Sequence, residues 1–222
     1  MKSSHFSSLS ADTIKAIVLV CLADGIVGIS YGSLATGSGF PLWVPLALSL
    51  VVLAGASEFL FIGIVASGGS PFAAAAAGLL VNARHLPFGI AVKDLVGHNA
   101  ASYLGCHIMN DESVVFGVAQ SSHTRRQAAF WFCGIGIAIC WPLGVVIGGL
   151  MGKFIPDTQA IGLDAVFPAI MVALILPALK NAKTIISAFS GAVISLAAVP
   201  FVPVGMPILF SLLGLTIRGK KS

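Results

Sequence analysis

The sequence predicts an all-α protein, a polytopic integral membrane helical bundle of about seven to eight transmembrane helices, some of them broken by proline. Three observations carry that prediction. Apolar residues make up 57% of the chain and charged residues only 9%, against roughly 25% charged in a soluble domain, so charge is too sparse to cover a water-facing surface. Mean hydropathy is +1.01. Apolar runs near or above the roughly 18 residues that cross a bilayer recur along the whole chain, which predicts one transmembrane domain over residues 1–222, not a single anchor.

The first run, Ile14 to Ile29, follows an opening, MKSSHFSSLSADTIK, that is lysine-bearing like a signal peptide. It lacks a small-x-small cleavage site and Asp24 follows directly, so a retained first helix is expected. Leu42 to Ser67 is the second run, with Pro41 and Pro45 at its head, and Pro71 to Val92 the third, with Pro87 inside it. After the polar region Lys93 to Gln127 come Ala128 to Met151 with Pro142, Ala160 to Leu179 with Pro168 and Pro177, Thr184 to Val199, and Pro203 to Ile217.

The middle of the polar region, Ser102 to Ala119, sets the parity of everything after it. If it crosses, Lys2, Lys15, Arg125, Arg126, Lys180, Lys183, Arg218, Lys220 and Lys221 share one side and only Lys93 and Lys153 lie opposite, which satisfies the positive-inside rule with both termini cytoplasmic. That reading is preferred over one with an external N-terminus, although His107, Asn110, Asp111 and Glu112 would have to face the protein interior.

Proline and glycine positions predict how the helices are built. A helical proline frees the carbonyl four residues earlier, Ala83 for Pro87 and Asp164 for Pro168, and in lipid such a group must find a partner or line a cavity. Gly28 and Gly32, then Gly144, Gly148 and Gly152, keep four-residue spacing and make flat faces for close packing within the chain or on a partner. Cys21, Cys106, Cys133 and Cys140 form no CxxC pair and read as packing residues, with no metal or disulfide expected.

An ionised side chain at the centre of a membrane helix costs about 2.5 to 3.5 kcal/mol on insertion scales, so Asp24, Glu58, Arg84, Asp111, Glu112 and Asp164 need partners or water. In LLVNARHLPFG, Asn82 and His85 share a helix face, while Arg84 points roughly 160 degrees from Asn82. Either the helix is interrupted and all three face a site, or Arg84 snorkels to the interface. Glu58, in LAGASEFLFIG, follows small residues that let another backbone approach, so its carboxylate should face a helix instead of lipid. It either pairs with Arg84 or serves substrate or proton directly, and desolvation and a nearby cation act oppositely on its hold on a proton. Asp24 is expected to cap or pair near the membrane surface.

Basic residues sit singly or in pairs at the ends of apolar runs, so the formal charge of +4 marks topology, not nucleic acid. There is no HExxH, GxGxxG or P-loop, and Asp111 and Glu112, adjacent on a helix, make a poor acid and base pair, so no enzyme and no cofactor are expected. The competing class is a non-transporting membrane scaffold or sensor subunit.

LAGASEF, LLVNARHLPFG, NDESVVFGVA and IGLDAVFPAIMVALILPALK, in that order, resemble the AzlC family, the large permease subunit of bacterial branched-chain amino acid exporters. The resemblance runs from about Asp24 to Lys180 and implies an inner-membrane, multi-pass permease. With a small hydrophobic AzlD-like subunit it would export leucine, isoleucine, valine and sometimes methionine. Glutamine is frequent in the family where this chain has Glu58, and leucine where it has Ala83. A zwitterionic substrate would then be bound by Asn82, Arg84, His85, Glu58 and Asp24, with Glu58 and Asp111 coupling an ion. Arg84, Asn82 or a helix amide end near Gly37 to Gly39 would serve the carboxylate. Glu58, Asp24 or the Ala83 carbonyl would hold the ammonium, with Phe59, Phe61 and Phe88 as walls and Arg84 and Glu58 bracketing one site.

Overall fold

The structure is a computed structural model that describes residues 9–97, 100–152, 179, 182–202 and 206–216. The expected helix from Ala160, with Asp164, Pro168 and Pro177, lies outside these residues, as do Lys2, Lys153, Lys180, Arg218, Lys220 and Lys221. Every regular element among the described residues is helical. In order these are α1 (Ala11–Gly37), α2 (Trp43–Val51), α3 (Gly55–Ala66), α4 (Pro71–Asn82), α5 (His85–Val92), α6 (Ala101–His107), α7 (Asp111–Val118), α8 (His123–Gly152) and α9 (Ala182–Ala198). A short helix, Pro207–Phe210, then runs into a 3-10 turn, Ser211–Thr216. Three stretches among them, Ala11–Gly37, Pro71–Val92 and His123–Gly152, are long and apolar enough to cross a membrane.

The chain folds as two compact units, residues 1–58 with 82–156, and residues 59–81 with 157–222. In the second, Leu60 and Ile64 of α3 pack on Ala74 and Ala77 of α4, with Phe61, Val65 and Val81 around them. Gly68 makes the turn between these helices at φ 84°. On α9, Gly191 admits the backbone of Ser211, where a Cβ would lie 2.5 Å from the carbonyl oxygen.

The first unit is built on α1 and α8. Ser10 caps α1 by accepting the Thr13 amide. The predicted glycine faces meet each other: a Cβ on Gly28 would lie 2.7 Å from the Trp141 carbonyl oxygen, and one on Gly148 would enter the Ile29 carbonyl. Ser33 Oγ donates across the seam to the Gly148 carbonyl at 2.9 Å. Away from the seam α8 exposes Ile135, Ile139, Leu143, Ile147 and Met151, an apolar stripe at four-residue spacing. Two aromatic rings complete the junction, Tyr31 of α1 stacking on Trp141 of α8 with centroids 5.7 Å apart.

The structure corrects the expected topology of the polar region. Ser102 to Ala119 is not one segment but two half-helices, α6 and α7, separated at Ile108–Asn110. Asp94, just after α5, pairs with Arg126 of α8 at 3.3 Å. The neighbouring Leu95 carbonyl accepts from Gln127 Nε2 at 3.2 Å and from Trp131 Nε1 at 3.1 Å. Contacts this short cannot link opposite faces of a hydrocarbon layer about 30 Å thick. Lys93 and Arg126 therefore lie near each other, and α6 and α7 run out from one level of the unit and back to it. The hairpin is pinned by a small core of Val92, Leu95, Val114 and Phe130.

The second expected span, Leu42 to Ser67, is also broken, at Val52–Ala54. No proline lies in this break, Gly55 follows it as the first residue of α3, and Leu53 takes a positive φ of 49°.

Candidate functional site

Three helix interruptions lie in the first unit: Val52–Ala54, Ala83–Arg84 and Ile108–Asn110. The eight residues of α5 set Ala83–Arg84 about 12 Å from Lys93, and the eight of α7 set Ile108–Asn110 about as far from Ala119. Each break presents a residue or two to one open cleft of about 220 Å³, lined by Val52, Asn82, His85, Cys106, His107 and Met109.

The interruption inside LLVNARHLPFG falls between Asn82, the last residue of α4, and His85, the first of α5. This resolves the geometric conflict on the predicted helix, because the turn lets Asn82 and His85 reach the cleft while Arg84 turns elsewhere. The Ala83 carbonyl freed by Pro87 does not await a ligand. It accepts from the Leu86 amide at 3.1 Å, an i to i+3 bond that tightens the turn. The Asn82 carbonyl is taken by His85 Nδ1 at 3.0 Å.

Arg84 neither snorkels nor pairs with Glu58. Its Nη2 lies 2.9 Å from Asp111 Oδ2, tying the second break to the third across half-exposed side chains. Asp111 opens α7, where Asn110 Oδ1 and Ser113 Oγ form a reciprocal capping box. The pair leaves part of Arg84 unused, and two neighbouring amides share that condition. Arg84 Nε, Asn110 Nδ2 and Asn82 Oδ1 are buried without a hydrogen-bond partner.

Glu58 faces a helix as expected, but it is α8 that it meets. The side chain is 1% exposed; Oε1 accepts from the Ala54 amide at 2.9 Å and Oε2 from Trp141 Nε1 at 3.2 Å. The carboxylate thus closes the N-terminus of α3, where the helix dipole favours it. Gly55 is required there, since a Cβ would come 2.9 Å from the Trp141 ring. The expectation that Arg84 and Glu58 bracket one site is corrected accordingly: each has a different partner, and neither lines the cleft.

Asp24 is neither a cap nor a surface residue. It lies half-buried in the middle of α1, which runs on to Gly37. The Gly37–Gly39 turn is likewise the wrong end of a helix for a carboxylate. Ser38, Gly39 and Phe40 donate their amides back to the Leu34, Thr36 and Ala35 carbonyls, so no amide is offered. Phe88 packs edge-on against His85 and into the Val92 core, while Phe59 and Phe61 belong to the second unit. The apolar walls of the cleft are instead Val52, Cys106 and Met109. His107, Cys106 and Met109 carried no signal in the sequence beyond their position in the polar region, because only the fold reveals that a helix is broken beside them.

A family model described as AzlC protein matches residues 19–155. The chain is 26% identical to the branched-chain amino acid transport protein AzlC of Bacillus subtilis (strain 168) over 183 residues, 78% of this chain and 68% of the relative. It is 29% identical to inner membrane protein YgaZ of Escherichia coli (strain K12) over 163 residues, 69% of this chain and 62% of the relative. It thus spans about two thirds of the length of these two proteins. With an uncharacterized membrane protein of Helicobacter pylori (strain ATCC 700392 / 26695) it shares 26% identity over 199 residues, covering 86% of this chain and 85% of the relative. No solved structure matches the chain.

Proposed function

The chain belongs to the AzlC family, and from that premise we propose that it is a secondary active transporter exporting branched-chain amino acids. Leucine, isoleucine and valine are the proposed substrates, with methionine as a further one, and a small hydrophobic AzlD-like subunit is the proposed partner. The bacterial inner membrane, crossed several times, is its proposed location. The printed name of the Bacillus subtilis relative supports the substrate class.

The observation that carries the reading is the meeting of three helix breaks at one cleft. Interrupted helices are tolerated in a bilayer only where protein or a watered cavity receives the backbone groups they release, and transporters place substrate at such breaks near the midplane. A scaffold has no need to spend stability on three of them. Asn82 and His85 in the cleft, with Arg84 beside it, are the proposed substrate ligands. Glu58 and Asp111, which hold a helix N-terminus and the Arg84 pair, are the proposed ion-coupling carboxylates, and Asp24 on α1 is a further proposed substrate ligand.

Counterflow in proteoliposomes tests this. The chain is reconstituted with and without its small partner, loaded with unlabelled leucine, isoleucine, valine or methionine, and assayed for labelled uptake with and without an imposed pH gradient. Counterflow of these amino acids that is lost in Arg84→Ala is expected. Folded protein with its partner that exchanges none of them overturns the reading.

A further inference from the structure

The first break is tied to α8 through one carboxylate. Leu53 sits there at a φ of 49°, a left-handed conformation that a residue other than glycine keeps only where its surroundings impose it. Glu58 supplies part of that constraint, since Oε1 accepts the Ala54 amide at 2.9 Å while Oε2 accepts Trp141 Nε1 at 3.2 Å. The same indole packs on Gly55, where a Cβ would come 2.9 Å from the ring. Upstream the break begins at Val52, a wall of the cleft, and the Leu50 carbonyl two residues earlier accepts from His107, another lining residue.

Glu58 is almost wholly buried, and both of its partners are neutral N–H groups. Among the described residues no cation pairs with it: Arg84 is taken by Asp111 and Arg126 by Asp94. Tyr31 is the titratable side chain that faces it from α1, α8 presents the neutral Trp141, and α2 carries no ionisable residue. A buried charge without a counter-charge is costly, so uptake of a proton is the step open to this carboxylate. That step changes its hydrogen bonding. Ionised, the group accepts at both oxygens; protonated, one oxygen becomes a hydroxyl that donates. Two N–H donors then face one full acceptor. The longer bond, to Trp141, is the one released, because the Ala54 amide belongs to the α3 N-terminus and has no carbonyl of that helix to turn to.

We propose that Glu58 and Trp141 form a proton-operated latch on the first break, with Trp141 as its positioning residue. Ionised Glu58 clamps α3 to α8 and fixes Val52 in the cleft wall. A proton arriving on Oε2 gives the neutral carboxyl, frees the indole and lets Leu53 relax, so that Val52 shifts and leucine affinity changes. The inference rests on the transporter reading for its output and deepens it: the coupled ion is a proton, and Trp141 joins the residues that carry coupling.

Trp141 itself reports on the latch. The chain has three tryptophans, and replacing Trp43 and Trp131 by phenylalanine leaves Trp141 as the only indole in the full chain, reconstituted in lipid nanodiscs. Its emission, followed from neutral to acid pH, is expected to pass through one transition that Glu58→Gln removes. Bound leucine is expected to shift the midpoint of that transition, because linkage between two ligands is reciprocal. No transition, a transition that survives in folded E58Q, or a midpoint indifferent to bound leucine overturns the latch. Glu58→Gln costs stability, so Trp141→Phe in the otherwise unaltered chain supplies a second reading. Leucine affinity of the unaltered chain is expected to change at least about fivefold between neutral and acid buffer, and less than about twofold in folded W141F. An undiminished change in W141F overturns the proposal. Folded protein that binds no leucine at any pH overturns the transporter reading instead, whereas the outcomes that overturn the latch are read in protein that binds leucine.

Discussion

Replacing Glu58 by glutamine asks whether the carboxylate is held as a double acceptor. Glu58 is 1% exposed, and its two oxygens receive the Ala54 amide at 2.9 Å and the Trp141 indole at 3.2 Å. Glutamine offers one oxygen and one NH₂ group in the same space, so whichever way the amide turns, one buried donor faces another donor. A buried donor left unsatisfied costs about 1 to 3 kcal/mol, and about 2 kcal/mol of destabilisation is expected for Glu58→Gln. Trp141→Phe alone should cost a similar amount, through the abandoned Oε2 and the space left by the smaller ring. In the double variant the amide oxygen turns to Ala54 and the NH₂ meets a ring with no donor, so the two costs overlap by about 1 to 2 kcal/mol. Reversible unfolding in detergent micelles measures all four corners of the cycle. Additivity within about 0.5 kcal/mol, the value for independent sites, refutes the double-acceptor account.

Three further outcomes follow from the same geometry. Gly28→Ala places a Cβ 2.7 Å from the Trp141 carbonyl oxygen, about 0.7 Å inside the 3.4 Å at which ordinary contact begins. Forcing the α1 and α8 backbones apart should lower stability by about 1 to 3 kcal/mol, and a variant that unfolds with wild type places the seam elsewhere. Asp111→Asn should cut leucine counterflow at least about tenfold with a stability loss under about 1 kcal/mol, because the Arg84 pair is partly exposed; unchanged counterflow removes Asp111 from coupling. Cys106 is exposed and lines the cleft, whereas Cys21 and Cys133 are buried. A membrane-permeant maleimide should therefore label Cys106 first, leucine should slow that labelling, and a rate indifferent to leucine argues against the cleft as its site.

Much of the scaffold was legible in residue type and spacing. Hydropathy marks α1, the Pro71–Val92 stretch and α8 because a bilayer selects composition over a fixed length. The glycine faces of α1 and α8 were legible because only small residues allow carbonyls to approach backbone so closely, although their pairing with each other was not. The break within LLVNARHLPFG followed from polar residues that no single helix face could gather. By contrast, the Val52–Ala54 break was hidden in an unbroken apolar run. What stabilises it is remote: Glu58 closes the new N-terminus, Trp141 donates from α8, and His107 of α6 takes the Leu50 carbonyl. Partner choice for Arg84 was equally invisible, since Asp111 lies on a half-helix held in place by contacts remote in sequence, among them those of Asp94 and Leu95.

Those remote contacts also explain why the breaks belong together. An interrupted helix releases carbonyls and amides that lipid cannot satisfy, and here one break supplies what another lacks. His107, beside the third break, answers Leu50 at the first, and Asp111, at the third, answers Arg84 at the second. Within the second and third turns, further carbonyls are taken locally: Leu86 N–H donates to Ala83, His85 Nδ1 to Asn82, and Ser113 Oγ to Asn110. A carbonyl so engaged makes a poor ligand, which removes the freed carbonyl of Ala83 from the list of substrate contacts. The unsatisfied atoms are instead side-chain ones, Asn82 Oδ1, Arg84 Nε and Asn110 Nδ2. In a membrane, buried polar atoms without partners are costly to keep, and these three sit at the second and third breaks, the two that the Arg84–Asp111 pair ties together.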